Sequence, residues 1–194
     1  MTSETMALDD AFGSALGGLK RNEDGLIIVG TYHAVFRDPD GTVVREVTFD
    51  NLVTDLGAQY LLNQLAASPT ATTAYLGLIG SGGGTTVAVT DTQSSHSGWA
   101  EGGAAYAPTY TAPRKTISWN AASGSGAGNR IKTAGGTTYV FSFTGSGTVN
   151  GAFVNLNGSS TIDNTTGTMF SAGMFTGQAV TSSSTLTVTY QIAV

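Results

Sequence analysis

Hydrophobic and polar residues alternate with a period of two through much of the chain after Leu26, which predicts a series of short β-strands. The clearest example lies at the C-terminus, where the residues at every second position are large and apolar: Leu186, Val188, Tyr190, Ile192 and Val194. The residues between them are Thr, Gln and Ala. Such alternation gives a strand one buried face and one polar face.

A second strong pattern predicts a β-hairpin over residues 26–50, LIIVGTYHAVFRDPDGTVVREVTFD. Its two β-rich runs flank the sequence DPDG at 38–41, in which Pro presets the first turn position and Gly accepts a positive φ. His33 lies on the first strand, on the face opposite Tyr32. A single His in such a place is typical of a structural strand residue.

The period changes to 3.6 after Asn51, which predicts one short α-helix at about 54–66. Thr54 suits the N-cap, and Asp55 favours the positive end of the helix dipole. A helix of this length is marginal alone, so we expect its apolar stripe to dock on a sheet. The stripe consists of Ala58, Leu61, Leu62 and Leu65.

From Tyr75 onward the sequence contains only strand and turn signals, with seven or more strands separated by Gly, Ser and Asn turns. Many short strands without a βαβ pattern predict an all-β fold, an antiparallel β-sandwich of the jelly-roll type with one short α-helix. Residues 1–25 mix a possible short helix with a Gly pair and a charged cluster. They are predicted to form an N-terminal arm on a β-sandwich domain spanning 26–194.

Composition narrows the possible partners of the chain. The 194 residues carry a net charge of −5 and contain no Cys. The acidic balance argues against nucleic acid as a partner, since a binder needs a basic surface to displace counterions. No apolar run is long enough to span a membrane, and the N-terminus lacks the pattern of a secretory signal, so we expect folding in the cytoplasm.

Charge is distributed unevenly along the chain. Ten of the thirteen acidic residues lie at or before Asp55, whereas residues 133–194 contain one charged residue, Asp163. Soluble domains usually intersperse charges over their surface. The neutral tract therefore indicates either a surface covered by a partner or by copies of the chain, a deeply buried segment, or a surface solvated by hydroxyl groups.

The densest group of chemically active side chains is DTQSSHSGWAE, residues 91–101. Its Ser and His residues and Asp91 are too close in sequence to converge as a catalytic triad, and no GxSxG motif surrounds the serines. His96 with Asp91 and Glu101 matches no metal-ligand spacing. The favoured interpretation is a structural loop, in which Asp91 forms a turn, His96 hydrogen-bonds a neighbouring chain segment and Trp99 anchors on the core. Glu101 and Arg114 are assigned to the same structural role.

Other motifs carry weaker signals. SGGG at 81–84 lacks the Lys and the strand-loop-helix context of a phosphate-binding loop. Arg114 and Lys115 form an adjacent basic pair, which suits a solvated face or a salt bridge. The sequence predicts no catalytic, cofactor-binding or metal-binding residues. An aromatic platform for sugar rings is a further hypothesis, although core packing is the more usual role of such side chains: Trp99, Tyr106, Tyr110 and Trp119.

A resemblance to a known class of proteins is carried by several segments in order: the hairpin with its DPDG turn, NLVTDLGAQYLLNQL (51–65), YLGLIG, DTQSSHSGWAE, APRKTISW, GAFV and MFSAGMF. In this order the chain resembles small structural proteins of tailed-bacteriophage virions, of the capsid-decoration or cement kind. The resemblance covers residues 25–194. It is less specific for the location on the virion, because tail and fibre proteins reuse the same β-sandwiches.

The resemblance implies a non-enzymatic protein of the virion capsid that is assembled in the host cytoplasm. Its expected partner is the major capsid protein, with a dimer or trimer of the chain on the virion and no cofactor, nucleic acid or membrane. The arm would order on a neighbouring subunit and bury five apolar side chains: Met6, Leu8, Phe12, Leu16 and Leu19. The alternatives are a tail or head fibre component that binds host glycans, and a glycan hydrolase, which needs two carboxylates in a cleft.

Overall fold

The computed structural model describes residues 28–66, 72–121, 131–133 and 139–193, and these ranges contain eleven strands and one helix. The predicted arm, with Met6, Leu8, Phe12, Leu16 and Leu19, lies outside the described residues. The elements are β1 (Val29–Arg37), β2 (Val43–Asp50), β3 (Leu52–Val53), α1 (Asp55–Ala66), β4 (Ala74–Ile79), β5 (Glu101–Gly102), β6 (Lys115–Ile117), β7 (Ile131–Thr133), β8 (Tyr139–Ser142), β9 (Gly147–Leu156), β10 (Thr168–Val180) and β11 (Thr185–Ala193).

The strands form two sheets. Sheet A has the order β2-β1-β11, and both β7 and β8 pair with the far edge of β11. Sheet B has the order β3-β10-β9-β4, and both β5 and β6 pair with the far edge of β4. The pairings between described strands are antiparallel. The prediction of an all-β antiparallel sandwich with one short helix is confirmed.

The space between the sheets is filled mainly by aromatic and β-branched side chains. Tyr32 of β1 stacks on Tyr190 of β11 with ring centroids 4.6 Å apart. Their hydroxyls would be costly to bury unpaired. Ser171 of β10 lies 3.4 Å from the Tyr32 hydroxyl and 3.1 Å from that of Tyr190, and Asn51 donates to the Tyr190 hydroxyl at 2.7 Å. This polar cluster links the two sheets through the centre of the core.

Sheet A and sheet B differ in how many of their faces are covered. Buried and half-exposed residues alternate strictly along β1, as expected for a sheet with one open face. In β9 the last six residues are all buried. On the side of sheet B away from sheet A, Phe153, Met169 and Ile79 pack against Trp99. A third layer, here called the loop layer (residues 80–114 and 157–167), therefore covers this side of sheet B. It is joined to sheet B through β5, and its Tyr110 and Ile162 reach the core between the sheets.

Helix α1 starts as the sequence predicts. The Thr54 hydroxyl accepts a hydrogen bond from the Gly57 amide at 3.1 Å, which is an N-cap contact. Ala58 and Leu61 pack against the core, but Leu62, predicted to belong to the same stripe, is 61% exposed. Gly57 lies so close to the Phe170 carbonyl that this face of the helix must turn inward. Leu62 lies about 100° from Leu61 around the axis and so reaches solvent.

Among the described residues, no helix is both long enough and apolar enough to cross a membrane.

Candidate functional site

A cleft of about 590 Å³ opens in the loop layer. Its lining comes from three stretches of chain, residues 82–83, 93–106 and 163–165. The volume falls within the range of small-molecule binding sites. Most of the side chains in the lining carry hydroxyl, amide or carboxylate groups. The cleft therefore gathers polar groups of residues 93–101 and 163–165 at one place on the surface.

The 91–101 segment is built around Trp99, which is 3% exposed. Its indole Nε1 donates to the Asp91 carboxylate at 3.0 Å, and the same carboxylate oxygen accepts the Ala88 amide at 3.0 Å. The Trp99 ring lies 5.2 Å from that of Phe153 in sheet B. Asp91 thus provides the hydrogen-bond acceptor for the Trp99 indole, while the apolar part of Trp99 anchors the segment on sheet B.

His96 stacks on Trp99 with ring centroids 3.9 Å apart and ring planes inclined by 15°. Its Nδ1 lies 3.1 Å from the Trp99 carbonyl oxygen. A carbonyl can only accept, so Nδ1 carries a proton, and in the neutral ring Nε2 is the acceptor. In a catalytic triad an acid would hold Nδ1, but here a backbone carbonyl does so, while Asp91 is engaged by Trp99.

Glu101 and Arg114 form a buried ion pair, with side chains 4% and 0% exposed. Arg114 binds the carboxylate in bidentate fashion, from Nε at 2.7 Å and from an Nη at 2.5 Å. The guanidinium also donates to the carbonyl of Ser159 at 3.0 Å and to that of Asn164 at 2.9 Å. The pair therefore ties the 101–114 segment to the 157–167 loop.

Two opposing effects act on the pKa of Glu101 in this pair. Burial raises the pKa of the Glu101 carboxyl above its ordinary value, because the charged form loses hydration. The hydrogen bonds and charge of Arg114 act in the opposite direction. The Asp163 amide adds a third hydrogen bond to this carboxylate at 3.0 Å. Without Arg114 the carboxylate would be a buried charge with one remaining protein partner.

Sequence reasoning missed three polar residues of this site. The side-chain amide of Asn155 in β9 donates to the Gln93 side chain at 2.7 Å and to the Thr166 carbonyl at 3.0 Å. The side chains of Asn155 and Gln93 are both buried. Asp163 accepts the Ala105 amide at 3.0 Å and has a left-handed φ of 62°. The sequence signal for Asn155 was its position inside the apolar run GAFVNL, because a polar side chain buried in a strand needs a hydrogen-bond partner.

The four aromatic residues of the predicted sugar platform do not come together. Trp99 and Tyr110 are buried in the protein interior. Trp119 lines a separate apolar groove of about 220 Å³ beside α1. Tyr106 alone is an exposed aromatic at the cleft, 44% accessible, with its ring directly on the Gly82 backbone, where a Cβ would overlap it. The hypothesis that these four residues form one sugar platform is therefore wrong.

The remaining candidates lie elsewhere or form no site. His33 pairs with Glu46 at 2.7 Å on the exposed face of the β1–β2 hairpin. Lys115 places its ammonium 5.4 Å from the Phe141 ring centre. Within the described parts of the chain, no three His, Asp or Glu side chains are grouped so that they could hold a metal ion.

A second candidate surface is the face of sheet A that points away from sheet B. Along β11 it presents Thr185, Thr187, Thr189 and Gln191, all half-exposed. Thr187 lies between Val35 of β1 and Val140 of β8, and Val140 is 42% exposed. The charged side chains that the structure describes on this face lie on the hairpin. The strip formed by β8 and β11, here called the neutral strip, carries none among its described residues.

Comparison with family models, with curated proteins and with solved structures gives no significant match to this chain.

Proposed function

We propose that the chain is a structural component of a bacteriophage virion, a capsid decoration or cement protein that stabilises the head by binding between major capsid subunits. The observation that carries the proposal is the asymmetry of the sandwich. Sheet B is covered by the loop layer, whereas the outward residues of the neutral strip of sheet A are half-exposed or exposed and carry hydroxyl, amide and aliphatic groups. The resemblance of the sequence motifs to such phage proteins supports the same assignment.

A neutral strip suits attachment to a shell for a physical reason. Burying charged groups at an interface costs several kcal/mol per ion unless each is paired. A Val side chain gains from burial, and a Thr hydroxyl can be satisfied by hydrogen bonds to polar groups of the partner. The centre of an interface is accordingly poor in charged residues. A capsid repeats the contact many times, and an oligomeric decoration protein gains further through avidity, so each single contact can be weak.

The organisation of the cleft favours a non-enzymatic role. Glu101 and Asp163, the two carboxylates that a glycan hydrolase would need, do meet at the cleft. The Glu101 oxygens, however, accept hydrogen bonds from two Arg114 nitrogens and from the Asp163 amide. Although burial raises the pKa of the Glu101 carboxyl, both of its oxygens are occupied by N–H donors inside the protein, and its side chain is 4% exposed, so it presents no free oxygen to a glycosidic bond.

The proposal places the protein on the virion, with the major capsid protein as its partner. We expect the chain to form a dimer or trimer on the shell. We also expect its N-terminal arm to become ordered on a neighbouring subunit. Neither nucleic acid nor a membrane takes part, and no cofactor or metal is needed. A tail or head fibre component is the alternative location for the same fold.

The test is binding to undecorated capsids of the phage that encodes the chain, with occupancy measured by sedimentation. The wild-type protein is expected to bind saturably. Thr187→Lys places a charge in the centre of the neutral strip and should lower occupancy strongly. Thr116→Lys, at an exposed strand position of sheet B, is the matched control and should bind as wild type does. Absence of wild-type binding would overturn the capsid assignment, and equal binding by both variants would overturn the role of the strip.

A further inference from the structure

The cleft of the loop layer contains three polar groups that the proposed capsid attachment does not use. Tyr106 is 44% exposed, Asp163 is exposed, and His96 is half-exposed. All three line the same space of about 590 Å³. This space lies over sheet B, whereas the neutral strip belongs to sheet A.

We propose that this cleft binds a neutral oligosaccharide, with Tyr106 as the stacking surface and with His96 and Asp163 as hydrogen-bond acceptors. The chemistry of the lining selects this class of ligand. A saccharide ring offers many hydroxyl groups and an apolar C–H face. The cleft supplies serine hydroxyls at Ser94, Ser95 and Ser97, and one exposed aromatic ring.

Each of the three binding groups is held in place by contacts behind it. The Tyr106 ring lies against the Gly82 backbone, where no side chain larger than hydrogen fits. The His96 ring is stacked on Trp99, and its Nδ1–H donates to the Trp99 carbonyl, which leaves Nε2 as the acceptor. A site with fixed side chains loses little conformational entropy when a ligand binds.

Asp163 is fixed most firmly of the three. One carboxylate oxygen accepts the Ala105 amide at 3.0 Å, and the backbone amide of Asp163 donates to Glu101 at 3.0 Å. Its second oxygen accepts no hydrogen bond from the described residues and can receive one from a ligand. The buried pair of Glu101 and Arg114 thereby acquires a role beyond the fold, because it positions the loop that carries Asp163.

Charge distinguishes a neutral sugar from other ligands. Of the described residues that line the cleft, Asp163 is the one with an exposed charged side chain. Arg114, which binds the lining residue Glu101, is 0% exposed and so presents no free cation to the cleft. A sialylated glycan or a nucleotide phosphate would meet a carboxylate and, among the described lining residues, no free cation. A peptide would find few apolar anchors in a lining made mainly of hydroxyl and amide groups.

The experiment uses the full chain and a printed array of neutral oligosaccharides, with the same cores carrying sialic acid alongside. The best neutral binder is then titrated by calorimetry against wild type and variants. Tyr106→Ala removes the stacking surface. Asp163→Asn keeps an oxygen for the Ala105 amide and tolerates the left-handed φ, but it replaces the open acceptor with a donor. Each variant should bind at least about tenfold more weakly.

Two control variants match these changes. Leu62→Ala removes a side chain that is 61% exposed on α1, and Asp38→Asn removes one negative charge at an exposed turn position. Both controls should bind as wild type does, and all four variants should keep the wild-type melting temperature within a few degrees.

The outcomes divide clearly. Weaker binding of the neutral glycan by both cleft variants, with unchanged controls, supports the site. The proposal is overturned by absence of neutral-glycan binding, by binding that survives both cleft substitutions, by preference for the sialylated cores, or by release of new reducing ends during the titration. None of these results affects the capsid-binding test, since the glycan site does not depend on the proposed function.

Discussion

The buried ion pair of Glu101 and Arg114 provides the sharpest test of how the loop layer is held on sheet B. Replacing Arg114 with Met keeps a long apolar side chain next to Phe153 but removes the guanidinium, whose carbon lies 5.4 Å from the Phe153 ring centre. Glu101 then loses both of its charge-assisted hydrogen bonds and keeps the Asp163 amide. The carbonyls of Ser159 and Asn164 lose a donor as well.

The expected cost follows from burial. The two side chains are 0% and 4% exposed, so water cannot replace the lost partner without opening the loop layer. Removing one member of a buried pair typically lowers the free energy of unfolding by about 3–5 kcal/mol. For a chain of this length, each kcal/mol lowers Tm by roughly 2–4 °C. Arg114→Met should therefore lower Tm by about 6–20 °C.

Urea denaturation and thermal melts provide the assay, and Lys115→Met is the matched control. It removes the same charge one residue further along, from a side chain that is only partly buried. The control should cost less than about 1 kcal/mol. The double variant Glu101→Met with Arg114→Met should be more stable than Arg114→Met alone, because no unpaired charge remains. If Arg114→Met costs no more than Lys115→Met, the ion pair does not hold the loop layer.

The Arg114→Met variant also has a predicted pH dependence. Burial raises the pKa of Glu101, and the substitution removes the cation that opposes this effect. A carboxyl whose folded pKa exceeds its unfolded value of about 4.3 stabilises the fold when protonated and loses that contribution as pH rises through the folded pKa. The stability deficit of the variant relative to wild type should therefore shrink as pH falls from 7 towards that unfolded value. A deficit that stays constant or grows would contradict the assignment.

Three further predictions concern the helix, the 91–101 segment and the arm. Gly57→Ala should destabilise the protein by about 1–3 kcal/mol in thermal melts, although Ala favours helices, because its Cβ would overlap the Phe170 carbonyl; a raised Tm would refute this close contact. His96→Ala should lower the free energy of unfolding by about 0.5–3 kcal/mol through loss of the Trp99 stack, and elemental analysis should detect no divalent metal released by it. Deleting residues 1–22 should leave Tm nearly unchanged but weaken retention on heated or diluted particles; equal occupancy of full-length and truncated protein in sedimentation would remove the arm from attachment.

The periodic parts of the structure could be predicted from the sequence. The alternation of residues 185–193 predicted a strand with one buried face, and β11 has this pattern. The Thr54 cap, together with the spacing of Ala58 and Leu61, predicted where the helix begins. Leu62 was misplaced because the helix face is selected by the close contact of Gly57 with β10, which periodicity alone does not encode. Local patterns predict local structure, while the face that turns inward depends on the tertiary partner.

The loop layer could be predicted only in part. Trp99 as an anchor follows from its size and amphipathic ring, and Asp91 as a turn residue from its carboxylate. The partners of Glu101 do not follow from any period, since Arg114 is 13 residues away and Asp163 is 62 residues away. The cleft arises where these distant segments meet over sheet B, so its volume has no signature in the sequence. Tyr106 was one of four aromatic candidates for a sugar platform, and the sequence alone could not single it out as the one exposed at the cleft.

The central claim is that the protein sits on the capsid, and an electron cryomicroscopy reconstruction of the native particle, compared with one of a particle lacking this protein, tests it most directly. The account predicts that the difference density lies on the shell between major capsid subunits, with the neutral strip of sheet A facing the shell and the cleft of the loop layer facing outward. Difference density confined to the tail or to fibres, or none on the particle, would contradict it.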